Sequence, residues 1–171
     1  MTVTSTKRLI ISKVTETDAP FFLELMNTPS WLKYIGDRNI KSVKDAKSHL
    51  KNGILKSYNE SGYGFYKVAQ KIEPDKAIGI VGLVKRKELE HTDIGFGFLP
   101  DYEGMGFGFE SSIAIMGLAK NIFKLEKVCA ITNPKNKSSI HLLEKLDFSF
   151  EKKIKPFDDG KELLLFAKQL L

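Results

Sequence analysis

The segment from Thr92 to Glu110, TDIGFGFLPDYEGMGFGFE, places three local demands on one short stretch of chain. Alternating apolar residues at its start ask for an extended strand. Gly104, Gly106 and Gly108 then permit a tight turn that a ligand can approach at backbone level. Beyond the turn, Phe109, Ile113, Met116 and Phe123 recur at helical spacing and mark one expected inward face. A strand that passes through a glycine turn into a helix leaves the first helical N–H groups unpaired, under a partial positive charge. That is an anion site, suited to a phosphate or pyrophosphate.

The flanking sequence reads as further strands and helices. Arg8–Lys13 alternates and predicts a first strand. Thr17-Asp-Ala-Pro20 opens a helix carrying Phe21, Phe22, Leu25 and Met26, which Asn27-Thr-Pro-Ser30 breaks. Trp31–Ile35 predicts a short second helix that ends at Gly36. Ser42 is an N-cap for a third helix with Val43, Ala46, Leu50 and Leu55, and Asn59-Glu-Ser-Gly62 is expected as a turn. Tyr63–Lys71 and Ala77–Arg86 read as paired strands joined by a loop at Glu73-Pro-Asp75. In the strand Thr92–Leu99, Gly95 and Gly97 signal either a bulge or a closely approaching ligand. Lys127–Thr132 is a strand, Asn136–Leu146 a helix with Ile140, Leu143 and Leu146 inward, and Phe148–Lys155 and Leu163–Lys168 are closing strands. The order β-α-α-α-β-β-β-α-β-α-β-β predicts an α/β or α+β sheet with helices packed on it, as one domain spanning residues 1–171.

Composition narrows the function. The chain has 171 residues, 42% hydrophobic and 28% charged, as expected of a soluble globular protein. No apolar run approaches the ~20 residues of a membrane span, and the N-terminus lacks an apolar leader. The single cysteine, Cys129, excludes an internal disulfide and a cysteine-based zinc cluster, and its apolar strand predicts a buried thiol. The three histidines lack ligand spacing, so no metal site is expected. Together these features predict a cytoplasmic protein, monomeric or homodimeric. The net charge of +6 is carried by scattered lysines without an RNA or DNA motif, so nucleic-acid binding is not expected as the main function.

Two familiar glycine loops lack their working parts here. A Walker loop needs Lys after its last glycine, where this chain has Phe107. The dinucleotide fingerprint needs a glycine where Phe109 stands and an acid closing the next strand, which ends instead Ala130-Ile-Thr-Asn133. A second constellation settles the comparison. Asp93-Ile-Gly-Phe96, Pro100, Gly104-Met-Gly106 and Glu110 are followed in order by Asn136, Ser139-Ile140, Leu143-Glu-Lys-Leu146 and Phe148. These two spaced motifs resemble the GNAT superfamily of acetyl-CoA-dependent N-acetyltransferases, in the branch of the ribosomal-protein alanine N-acetyltransferases (RimJ/RimL-like). Ile78-Gly-Ile-Val-Gly-Leu83 and Trp31–Arg38 extend the resemblance over nearly the whole chain. Three positions depart from the pattern: Asp101 replaces a Gln/Arg, Asp147 replaces a Gly, and Leu143 replaces the tyrosine that acts as an acid in many members.

The resemblance implies a mixed, mostly antiparallel twisted sheet with helices on both faces, its strands splayed at the cofactor site. It implies acetyl transfer to a primary amine, either a protein N-terminus or a small molecule, by direct attack in a ternary complex. The alternative is a catalytically silent CoA-binding regulatory module. Cofactor contacts would come from Phe96, Phe98, Leu99, Gly104, Met105, Gly106, Phe107, Gly108, Asn136 and Ser139. Asp93 would take the amine proton and Ser139 would protonate the leaving thiolate. Asn136 reads equally as a helix cap, and Asp93 as a solvent-facing strand end. His91 and His141 are tempting bases, but His141 falls on the outer side of its helix. Trp31, Tyr34, Tyr63 and Phe65 are candidate walls of an acceptor pocket, or aromatic core.

Overall fold

A computed structural model describes residues 1–171. In chain order it contains β1 Thr2–Ser5, β2 Leu9–Lys13, α1 Ala19–Leu25, α2 Pro29–Tyr34, α3 Val43–Leu50, α4 Lys56–Ser61, β3 Phe65–Gln70, β4 Glu73–Val84 and β5 Asp93–Phe98. There follow α5 Phe107–Asn121, β6 Lys127–Thr132, α6 Lys137–Lys145, β7 Ser149–Ile154 and β8 Leu163–Gln169. One 8-stranded sheet runs β1-β2-β3-β4-β5-β6-β8-β7. All neighbours are antiparallel except β5 and β6, which are parallel because the chain crosses over through α5.

Strand alternation sends side chains to two separate cores. One holds Ile94 and Phe98 of β5, Val128 and Ala130 of β6, and Phe166 of β8, beneath Phe107, Ile115 and Met116 of α5, Leu143 of α6 and Leu146 just after it. The other lies under α1 to α4 and gathers Phe22, Leu25, Ala46 and Leu50 against Ile80 of β4 and Leu99. The inward face of α5 differs from the periodicity alone. Ile113 is 50% exposed, while Ser111 and Ser112 are buried, because the close packing of α5 on the sheet and α6 admits small residues there.

Other boundaries move for physical reasons. Thr2–Ser5 adds an edge strand, and Lys51–Leu55 forms a π-helical turn that joins α3 to α4, carrying helix through Ser61 to a left-handed Gly62. The expected loop at Glu73-Pro-Asp75 lies inside β4. Gln70 pairs with Glu73 and Ala69 with Ala77, so the residues between bulge out and Pro74 breaks no ladder. Asp147, where the family pattern has Gly, takes a left-handed conformation, with φ 65°. Phe148 N–H donates to the Leu143 carbonyl at 3.0 Å and Asp147 N–H to that of Glu144 at 2.9 Å, closing α6 with a Schellman motif.

Candidate active site

The glycine turn is built as the sequence requires. Gly104 and Gly106 have φ of 72° and 81°, and Gly106 caps the N-terminus of α5. A Cβ on Gly104 would meet nothing within 4 Å, so the turn is open to an incoming group. The first helical bond runs from Glu110 N–H to the Gly106 carbonyl at 3.0 Å. The N–H groups of Gly104, Met105, Gly106, Phe107, Gly108 and Phe109 find no acceptor in the chain. Such a row of free donors at a helix start fits an anionic group and nothing apolar. Gly108 plays a different part: Leu142 of α6 packs 3.2 Å from where its Cβ would be, so it lets α6 close on α5.

The turn stands at the mouth of a split in the sheet. β5 and β6 share one pair, Asp93 opposite Cys129, with Cys129 N–H donating to the Thr92 carbonyl at 2.9 Å. Beyond it they separate, although β5 stays paired with β4 and β6 with β8 along their lengths. Leu99 N–H donates to the Ile78 carbonyl at 2.9 Å, so by alternation the polar backbone of Ile94, Phe96 and Phe98 faces the split. This edge is free to accept an added strand-like ligand. The backbone of Leu99 is turned to β4 instead of the split: its N–H donates to the Ile78 carbonyl and its carbonyl accepts from Tyr102 N–H.

Asp93, Gly95 and Gly97 face the α1–α4 side. The pairing of β4 with β5 has no register shift, so the glycines do not mark a bulge. They seat aromatic rings: a Cβ on Gly95 would lie 2.8 Å from Phe65 Cζ, and one on Gly97 3.0 Å from Trp31 Cζ3. Tyr34, one turn after Trp31 on α2, is half-buried beneath Lys33. Asp93 is 2% exposed, not solvent-facing, and accepts a hydrogen bond from Arg86 Nε at 3.0 Å. Burial raises its pKa to about 6 against the opposing pull of the Arg86 charge and hydrogen bond. Arg86 also lies 5.8 Å from the Phe157 ring centroid. Cys129 Sγ donates to the His91 carbonyl at 3.3 Å, and burial, with the Asp93 charge, pushes this thiol up to about 12. The thiol is buried, as its apolar strand predicts. A groove of about 300 Å³ runs beside this pair, between Glu88–His91 and Lys152–Pro156.

Tyr63 is not a wall of that face. It is 7% exposed in the opposite core, its ring 5.1 Å from that of Phe123 and its hydroxyl 2.7 Å from Thr92 Oγ1. Asn136 Oδ1 caps α6 by accepting Ser139 N–H at 3.2 Å, which leaves its amide NH₂ without a partner in the chain. The Ser139 hydroxyl likewise has none, while His141 is exposed and Leu143 is 1% exposed in the core. Arg8, which sequence alone did not single out for the site, joins it through the motif residue Glu110. Arg8 Nε bonds Glu110 Oε2 at 2.7 Å, its Nη1 bonds the Met105 carbonyl at 3.1 Å, and its guanidinium lies 4.4 Å from the Phe107 ring centroid. Burial pushes the Glu110 carboxyl up, but hydrogen bonds from Thr6 and Arg8 outweigh it and hold the group below its ordinary pKa. Among groups of His, Cys, Asp and Glu, none is arranged to hold a metal ion. No helix is long and apolar enough to cross a membrane.

Comparison with known proteins meets this geometry. Residues 8–149 match the acetyltransferase (GNAT) domain family. The chain is 23% identical over 150 residues to the uncharacterized N-acetyltransferase YoaA of Bacillus subtilis, covering 87% of this chain and 84% of YoaA. Its fold superposes on RimL, a ribosomal-protein α-N-acetyltransferase solved with coenzyme A, at a TM-score of 0.80 and 15% identity, over 99% of this chain and 98% of RimL. A chimera of spermidine N-acetyltransferase SpeG from Vibrio cholerae gives 0.77 and 16% identity, over 95% of each chain. A split mixed sheet, a glycine turn with free donors at its mouth and a family match over most of the length agree: the chain belongs to the GNAT family of acetyltransferases.

Proposed function

We propose that this chain, acting as one domain, moves an acetyl group from acetyl-CoA to a primary amine by direct attack while both are bound. The row of free N–H groups from Gly104 to Phe109 carries this reading, because it matches the doubly charged pyrophosphate that acetyl-CoA would bring to the mouth of the split. The exposed backbone edge of Ile94, Phe96 and Phe98 takes the pantetheine arm as an added strand and polarises the thioester carbonyl. The free amide of Asn136 binds the same arm, and the unpartnered Ser139 hydroxyl relays a proton to the departing thiolate, giving its own as it takes one from water. Asp93 is too buried to touch the amine, so it takes the proton through water. Trp31, Tyr34 and Phe65 wall the acceptor side. Asp101 is exposed near the turn and adds negative charge beside an anion, which lowers affinity without removing a donor.

The acceptor is a protein N-terminus or a small-molecule amine. RimL is named for the first class of acceptor and SpeG for the second. A second reading, a silent CoA-binding module, draws on Leu143, which puts a buried apolar side chain where many members carry an acidic tyrosine. Two measurements separate them. CoA is expected to raise the thermal midpoint, since it binds only the folded state. Acetyl-CoA with a panel of N-terminal peptides and polyamines is expected to release free CoA thiol with at least one acceptor. No thermal shift at saturating CoA sinks both readings, and a shift without transfer to any amine favours the silent module.

A further inference from the structure

We infer that Arg8 is a positioning residue for the anion turn, holding it open and cancelling the Glu110 charge that would otherwise repel a pyrophosphate there; this rests on the acetyl-CoA reading above. Glu110 lies in the first turn of α5, next to the free donors, with its side chain 19% exposed. A bare carboxylate at that place opposes any bound anion. Its oxygens are instead taken up by Thr6 Oγ1 at 2.6 Å, Arg8 N–H at 2.9 Å and Arg8 Nε at 2.7 Å. The same guanidinium donates through Nη1 to the Met105 carbonyl at 3.1 Å. That bond ties the carbonyl to the residue just before β2, while the N–H groups of Met105 and Gly106 on either side of it have no acceptor in the chain. Nη2 has no acceptor in the chain and lies 3.3 Å from the position of a Cβ on Gly106, at the rim of the turn. With its side chain 45% exposed, Arg8 presents a cation where Asp101 supplies none. A planar fork is needed to serve a carboxylate, a carbonyl and an incoming anion together, and lysine lacks one.

Calorimetric titration of CoA into the parent, Arg8→Lys, Arg8→Gln and Arg8→Gln/Glu110→Gln proteins tests this, with acetyl-CoA kinetics and thermal midpoints alongside. Arg8→Gln is expected to bind CoA about tenfold more weakly or worse, the loss of a charge-assisted bond, with Arg8→Lys in between. The loss should appear in KM for acetyl-CoA more than in kcat, and the affinity of Arg8→Gln should depend less on salt than the parent's. Neutralising Glu110 in the double variant should recover part of the affinity, which a packing role would not do. If Arg8→Gln fails to fold, Arg8→Lys with an unchanged thermal midpoint carries the test. Affinity within about twofold of the parent for both variants overturns the inference, as does no recovery in the double variant. A parent that does not bind CoA overturns the acetyl-CoA reading itself.

Discussion

Replacing Asp93 with Asn tests both the energetics and the chemistry of the closed end of the split. The carboxyl is 2% exposed and its pKa is raised to about 6, with burial as the dominant cause, while Arg86 opposes the shift. A folded-state pKa above the unfolded value of about 3.9 means that the folded protein holds the proton more tightly. The stability from protonated Asp93 is therefore present at low pH and lost as pH rises through about 6. Between pH 4.5 and 7.5 the parent should lose about 2 kcal/mol relative to Asp93→Asn, which cannot titrate. Urea unfolding of both proteins at several pH values reads this difference, and other titrating groups cancel in the comparison. The same ionisation should govern catalysis. If Asp93 relays the amine proton, kcat/KM of the parent rises through about pH 6, and Asp93→Asn lacks that limb. A pH-independent stability difference would refute the burial argument, and an unchanged activity profile would leave the reaction to positioning and backbone polarisation.

Four further outcomes follow from the geometry. Gly106→Val should remain folded but bind no CoA in a calorimetric titration, because a β-branched residue resists φ near 81° and its Cβ would press on Arg8 Nη2. Ser139→Ala should lower kcat more than it raises KM for acetyl-CoA, whereas Asn136→Ala should weaken CoA binding and cost about 1 kcal/mol through loss of the α6 cap, separable by steady-state kinetics and denaturation. Asp147→Gly should stabilise the protein by about 1 kcal/mol in urea unfolding, since only the left-handed strain at φ 65° is relieved.

Parts of the fold that depend on local chemistry were legible in the sequence. The glycine turn and the core face that Leu143 and Leu146 present at the end of α6 each follow from residue type at a fixed spacing. Features set by distant partners were not. Arg8 meets Glu110 across 102 positions, and nothing near either residue announces the other. Tyr63 shares strand parity with Phe65, so alternation would place both on one face. The strand begins only at Phe65, however, and Gly64 breaks the phase, which sends Tyr63 into the opposite core. The sheet glycines carried the subtlest ambiguity, since a bulge, a ligand and a ring seated on the strand all call for a missing side chain. Their seating of Phe65 and Trp31 ties the two halves of the proposed site together. These rings rest on one face of β5, while the edge of the same strand is the one proposed to take the pantetheine arm. A shift of β5 as the arm adds to it would therefore press directly on the acceptor wall, coupling the two binding steps through van der Waals contact alone.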